Sequence, residues 1–165
     1  MIDREKVIGI LNAARSMELR AISQYMAHHY QLDYANLPTL AKAVKEVAIM
    51  EMRHAEMLAE RIRDLNGAPV TVPDGSVQDM DIMSGFQADA ELENETQSKY
   101  QEYVNTLAPL DAVSEQLLKK IMMQEEGHLQ FFDDVAAHME DQNYWAAQMG
   151  GKYSALGYER FVVGK

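Results

Sequence analysis

Glu51-Met52-Arg53-His54 and Glu125-Glu126-Gly127-His128 are two copies of Glu-x-x-His standing about 74 positions apart. Each is preceded by a lone glutamate, Glu18 and Glu93, at nearly the same distance. On a helix, residues i and i+3 share a face, so within each motif a carboxylate oxygen and an imidazole nitrogen can reach one cation. Two such pairs with two further carboxylates make the ligand set of a carboxylate-bridged di-iron or di-manganese centre inside a four-helix bundle. Chance is a weak rival: a random shuffle of this composition would hold roughly half a Glu-x-x-His, and the chain has two with matched partners.

The 165 residues suffice for one domain that buries most of its apolar surface without staples. There is no cysteine, which excludes disulfides, zinc-cysteine sites, iron-sulfur clusters and thiol catalysis and permits a reducing compartment. The opening Met1-Ile2-Asp3-Arg4-Glu5-Lys6 mixes charges of both signs and lacks the apolar core of a signal peptide. No run approaches the roughly 18 uninterrupted apolar residues of a membrane span. These features predict a cytoplasmic protein with no membrane partner. A net charge of -11 argues against a nucleic-acid partner, because phosphate neutralisation needs clustered Lys and Arg. That charge suits attraction of cations, and it equally serves solubility alone.

Breakers divide the chain into four long periodic segments. The first runs from about Asp3, a predicted N-cap, to about Tyr34, with Val7, Ile8, Leu11, Ala14, Leu19, Ile22, Tyr25 and Met26 at helical spacing. Asn36-Leu37-Pro38 forms a short turn, and the second helix spans about Thr39 to Asn66, stopping at Gly67. Gly67 to about Gln78, with Pro69, Pro73 and Gly75, is too long for a hairpin and suits a crossover along a bundle. The third helix covers about Asp79 to Ala108. Pro109 and Asp111 turn the chain again, with Asp111 capping a fourth helix that reaches His138 at the least and Gln148 at the most. Residues 1–149 thus read as the bundle domain and 150–165 as a C-terminal tail without clear periodicity. Short turn, long crossover, short turn is the connectivity of ferritin-like bundles.

Helix rise tests the site. With turns centred near Ala35 and Pro109, Glu18, Glu51, Glu93 and Glu125 all lie about 16 or 17 residues, or roughly 24 to 26 Å, from their turns. The four carboxylates therefore fall in one layer. Tyr25 follows Glu18 by the same seven residues as Tyr100 follows Glu93, which makes the two halves a degenerate repeat. A helical glutamate is ordinarily a solvated residue or a surface ion pair. Here the flanking Met17, Leu19, Ala21 and Ile22 turn Glu18 inward, and Glu93 is preferred over Glu91 and Glu95 on its turn distance and the face it shares with Tyr100. Buried carboxylates without cationic partners are costly, and metal ions would neutralise them. His28, His29 and His138 have no partner at ligand spacing and read as surface or packing residues. Glu46 and Glu126 read as exposed helical residues, with outer iron contacts as the alternative. Met52, about 100° around the helix from Glu51, faces away from the bundle centre, where a thioether serves a subunit contact or ligates haem.

Over about residues 1 to 145 the chain resembles bacterioferritins. The matching stretches are Glu18-Leu19-x-Ala21-Ile22-x-Gln24-Tyr25, Glu51-Met52-Arg53-His54-Ala55 followed by Leu65-Asn66-Gly67-Ala68-Pro69, and Glu125-Glu126-Gly127-His128. The resemblance implies an all-α, ferritin-like four-helix bundle with the long crossover between the second and third helices, plus a C-terminal segment or short fifth helix beginning near Gln142-Asn143-Tyr144. It implies a ferroxidase centre with Glu18 and Glu93 as terminal carboxylates, Glu51 and Glu125 as bridges, His54 and His128 as nitrogen ligands, and Tyr25 beside the metals. It also implies haem b ligated at the Met52 position by two subunits, in a pocket compatible with Leu19, Ile22 and Ile49. A homodimer or 24-subunit cage and a ferredoxin-type reductant follow from the same likeness. The chain departs from the family at Glu46 and Met50, where some members carry a histidine and an aspartate as inner-surface iron contacts. It departs again after His128, where no glycine marks the break before a fifth helix.

The expected activity is oxidation of Fe(II) to Fe(III) with O2 or H2O2 at an intra-subunit di-iron centre, serving iron storage and detoxification. The alternative is a rubrerythrin-like di-iron peroxidase or oxidase without storage, whose usual cysteine-bearing electron-donor domain this chain lacks.

Overall fold

The computed structural model describes residues 3–77, 81–138, 141 and 144. Four helices follow in order: α1 (Arg4–Tyr34), α2 (Pro38–Asp64), α3 (Ile82–Leu107) and α4 (Ala112–Ala137). The tight turns at 35–37 and 108–111 fold each neighbouring pair back on itself, and α1 with α2 and α3 with α4 make the most extensive contacts. The two hairpins meet mainly through α1 and α3. This is the ferritin-like bundle expected from the breakers. Among the described residues, no helix is long and apolar enough to cross a membrane. The expected tail at 150–165, and the stretch from 145 that would carry α4 or a fifth helix toward it, lie outside the described residues.

Local chemistry sets the helix ends. Asp3 accepts from the Lys6 N–H and Asp111 from the Val113 N–H, so each caps the helix that follows it. Asp111 also receives Arg61 from α2 at 2.7 Å, which ties the start of one hairpin's second helix to the other hairpin. Pro38 is not part of the turn, as expected from sequence, but the first residue of α2: it has no N–H to lose there and its φ is already helical. α1 and α2 end alike, with Asn36 (φ 59) and Asn66 (φ 60) left-handed and the next N–H reaching back to Leu32 and Ile62. The second stop is therefore Asn66 and not Gly67. Glycine is needed at 67 for a different reason, since a Cβ there would lie 2.9 Å from Ile62 Cγ2 and 3.0 Å from Ile8 Cγ2. α3 begins at Ile82, three residues later than expected, with Asp81 accepting from the Ser84 N–H. α4 closes at Ala137, one residue short of the expected minimum, with His138 as its C-cap. Beyond it, Tyr144 is helical and buried, and its N–H donates to Asp141 at 3.2 Å.

The crossover is strapped to α1. Asn12 donates to the Ala68 carbonyl and accepts from the Val70 N–H; Arg15 donates to Val70 O, Ser16 to Val72 O, and Arg20 meets Asp74 at 3.0 Å. These positions lie on one helical face, so a long link without secondary structure has its backbone groups satisfied along its course.

Two apolar clusters fill the bundle. One gathers Leu32, Leu40, Val44, Phe86, Phe131 and Phe132, and the other Leu11, Leu58, Ile62, Val104, Leu118 and Ile121. On every helix the six residues singled out above fall between the two, so a polar layer separates two oily ones. Within the first cluster's end of the bundle, α3 presses on α1 at Gly85, where a Cβ would come 2.7 Å from His28 Nε2. The His28 ring is buried and pinned by Asp89 and the Ile82 carbonyl, so it has little room to move. Gly85→Ala is expected to cost about 1–3 kcal/mol through overpacking, read as a lower denaturant midpoint with an unchanged slope.

Candidate metal centre

All six residues of the proposed layer are buried, each at 1% exposure or less: Glu18 from α1, Glu51 and His54 from α2, Glu93 from α3, Glu125 and His128 from α4. Burial of four carboxylates with no lysine or arginine among them is the central physical fact of the site. Fixed helix rise puts them at one height, and the i, i+3 spacing turns each histidine onto the face of its glutamate.

The distances divide the six into two overlapping groups of four: Glu18, Glu51, His54 and Glu125, and Glu51, Glu93, Glu125 and His128. In each, one ligand atom per residue lies within 4.8 Å of the others. Glu51 presents Oε2 to His54 Nδ1 at 2.9 Å and Oε1 to His128 Nδ1 at 2.6 Å. Glu125 does the same in mirror fashion, with Oε1 2.7 Å from His54 Nδ1 and Oε2 3.3 Å from His128 Nδ1. Glu18 approaches only His54, at 3.8 Å, and Glu93 only His128, at 4.0 Å. Two carboxylates thus span both halves and two belong to one half each. The imidazole rings stack at 5.8 Å between centroids.

The terminal carboxylates are each held by a tyrosine from the opposite hairpin. Tyr25 on α1 donates to Glu93 Oε1 on α3, and Tyr100 on α3 donates to Glu18 Oε1 on α1. Burial, then the charge of Glu93, pushes the Tyr25 phenol well above its usual range; burial and Glu18 do the same at Tyr100, so both remain donors. Tyr25, which shares the α1 face of Glu18, thus bonds Glu93, and Tyr100, which shares the α3 face of Glu93, bonds Glu18.

Electrostatics in the cluster are governed by crowding of like charge. Burial, then Glu125 and Glu51, raises the Glu93 carboxyl well above the ordinary range. Burial alone would lower the two imidazoles, but Glu51 and Glu125 outweigh it, raising His54 strongly and His128 to about 10. Protons therefore take up the negative charge that a cation would otherwise balance. Glu51 Oε1 and Glu125 Oε1 are buried and accept no hydrogen bond, although a histidine nitrogen is close to each. Orphaned carboxylate oxygens aimed into a cluster of oxygen and imidazole donors fit divalent iron or manganese.

Two contacts were outside the reach of sequence reasoning. His54 Nε2 lies 2.9 Å from Gln124 Oε1, across 70 positions. His28 is a packing histidine, buried, with Nδ1 2.5 Å from Asp89 Oδ2, itself held by Gln24. No local spacing announces either pair. His29 is half-buried and bonds the Ala41 carbonyl, and His138 bonds Asp134 O. Glu126 is exposed, and Glu46 sits 3.7 Å from Lys42. Glu91 and Glu95, the rivals of Glu93, are exposed, Glu95 pairing with Arg20. Met52 is 55% exposed, in a shallow depression that Leu19, Ile22, Ala55 and Ala59 also line and Ile49 does not.

The ferritin-like domain model matches residues 8–141. Among curated proteins, the chain is 36% identical to the bacterioferritin of Desulfovibrio desulfuricans over 93% of this chain and 88% of that protein. It is 32% identical to the bacterioferritin of Brucella melitensis over 84% and 89% respectively. The X-ray structure of the Desulfovibrio desulfuricans protein, which describes its diiron site in different catalytic states, superposes with a TM-score of 0.87 over 90% of each chain.

Proposed function

The chain belongs to the bacterioferritins of the ferritin-like family, and from that membership and the geometry of the buried layer we propose that it is a ferroxidase, oxidising Fe(II) to Fe(III) for storage and detoxification. The observation that carries this is the double span of Glu51 and Glu125 between His54 and His128. In this reading Glu18, Glu51, His54, Glu93, Glu125 and His128 are the metal ligands and catalytic residues, with Glu51 and Glu125 bridging.

Bound side by side, two Fe(II) ions supply one electron each, the two electrons needed to reduce O2 to H2O2, or H2O2 to water, with uptake of two protons. The chain's own residues do the rest. Four carboxylates match the charge of two divalent ions, so a pair of cations enters this dry layer without a net charge to bury. Tyr25 and Tyr100 keep Glu93 and Glu18 oriented by hydrogen bonds whose phenol protons stay in place. The flanking apolar clusters exclude water and keep the ligand set from collapsing onto solvent.

Family membership brings Fe(II) as substrate and an oligomeric assembly; a homodimer or 24-subunit cage, haem b, a ferredoxin-type reductant and cytoplasmic residence are the finer parts of the proposal. For haem, the exposed Met52 thioether, in a depression lined by Leu19, Ile22, Ala55 and Ala59 with Arg15 and Glu56 beside them, would supply a sulfur ligand from each of two subunits, and the group held there would supply electron transfer. The cysteine-free sequence is compatible with a reducing compartment.

Adding Fe(II) to metal-free protein in air, with near-ultraviolet Fe(III) absorbance followed as iron per chain is raised, tests the centre. A rapid phase that saturates at about two irons per chain is expected, since one bundle holds one bridged pair. Oxidation no faster than in buffer would leave the layer as a structural or differently metallated site.

A further inference from the structure

The two halves of the site match at the inner nitrogens of the histidines and differ at the outer ones. Nδ1 of both rings faces the carboxylates. Nε2 of His54 lies 2.9 Å from Gln124 Oε1, supplied by α4 one residue before Glu125. An amide oxygen only accepts, so this contact holds the proton on Nε2 and leaves the Nδ1 lone pair for a cation. The repeat that sets Glu51 against Glu125 sets Met50 against Gln124. Met50 has no oxygen to offer, and its sulfur accepts instead from Arg53 Nη1 at 3.4 Å. Nε2 of His128 is buried and finds no hydrogen-bond partner among the described residues. Both rings are equally inaccessible, so exposure does not separate them.

An imidazole ligand whose outer N–H is held is fixed in tautomer and ring plane and is a more basic donor, and loss of such a partner typically costs about 10–100-fold in metal affinity. We propose that Gln124 is a positioning residue for His54 and makes the two metal positions unequal. The position between Glu18 and His54 fills first and binds more tightly; the position between Glu93 and His128 fills second and releases its cation first. This rests on the six-ligand reading above and adds an order of filling to it.

Anaerobic titration of metal-free protein with Co(II), by calorimetry and visible absorbance, reads binding without turnover. Two steps of one Co(II) per chain are expected, with dissociation constants about tenfold or more apart. Gln124→Met makes the halves alike and should weaken the first step about 10–100-fold, merging it with the second. Met50→Gln should strengthen the second step, and Gln124→Glu, which restores an acceptor, should keep two steps. Crystals soaked with one Co(II) per chain should carry cobalt beside Glu18 and His54. The thermal midpoint of each metal-free variant identifies any loss caused by unfolding, and Met50→Gln tests the inequality independently of Gln124 variants. Equal steps in the natural protein, or an unchanged first step in folded Gln124→Met, would overturn the proposal. Absence of Co(II) binding altogether would overturn the six-ligand reading with it.

Discussion

Glu51→Ala should bring Fe(II) oxidation down to the rate seen in buffer, a loss of well over a hundredfold in the rapid phase. Loss of a mere outer partner of a ligand already costs about 10–100-fold, and Glu51 is in contact with both halves. Its two oxygens lie 2.9 and 2.6 Å from His54 and His128, and removing them leaves each half with three donors and no shared carboxylate but Glu125. His128→Ala should fail in the same way, because only His128 supplies nitrogen to the Glu93 half. Glu126→Ala, one residue from Glu125 but exposed, should oxidise iron at the natural rate. Stopped-flow absorbance at two Fe(II) per chain distinguishes the three. A rapid phase preserved in Glu51→Ala or His128→Ala would remove that residue from the centre.

The contrast between Glu125 and Glu126 also shows what a sequence can disclose. Helical rise and helical rotation are fixed numbers, so counting from two turns places four glutamates at one height, and a three-residue spacing fixes the face of each histidine. The same rules separate Glu93 from Glu91 and Glu95, which point roughly 160–200° away on α3. Architecture was readable for a related reason: Asn36, Pro69 and Asp111 act on their own backbone neighbourhood. Less readable was how an individual residue serves a boundary. Pro38 looks like a turn residue by type and begins a helix by position, and Gly67 looks like a stop but is required by the proximity of Ile8. Contacts between hairpins lay furthest from view. Gln124 with His54, His28 with Asp89, and Arg61 with Asp111 depend on how far each helix is rotated against the other pair, which no spacing within one helix encodes.

Raising the pH from about 6.5 to 9 should destabilise the metal-free protein while strengthening its hold on divalent cations. His54 and His128 are raised above 6.5, His128 to about 10, and Glu93 is raised above 4.5. All three bind their protons more tightly folded than unfolded. Their stabilising contribution is therefore complete below the unfolded values and is lost as pH rises toward the folded ones, from above 4.5 for Glu93 and from above 6.5 to about 10 for His128. Cations compete with those same protons, so metal affinity must rise over the window in which the metal-free form weakens. A redox-inert divalent ion at a thousand times its dissociation constant adds about 4 kcal/mol per site. For a chain of this length each kcal/mol moves the midpoint by about 2–4 °C, so even one filled position should raise Tm by about 8–16 °C. The gap between metal-free and Co(II)-loaded melting curves should then widen from pH 6.5 to 9, because one curve falls and the other is held. A metal-free Tm that stays level or climbs over that range, or a gap that narrows, would mean that protons are not what balances Glu18, Glu51, Glu93 and Glu125 when metal is absent. The layer would then owe its stability to something other than the exchange of protons for cations on which oxidation at this site depends.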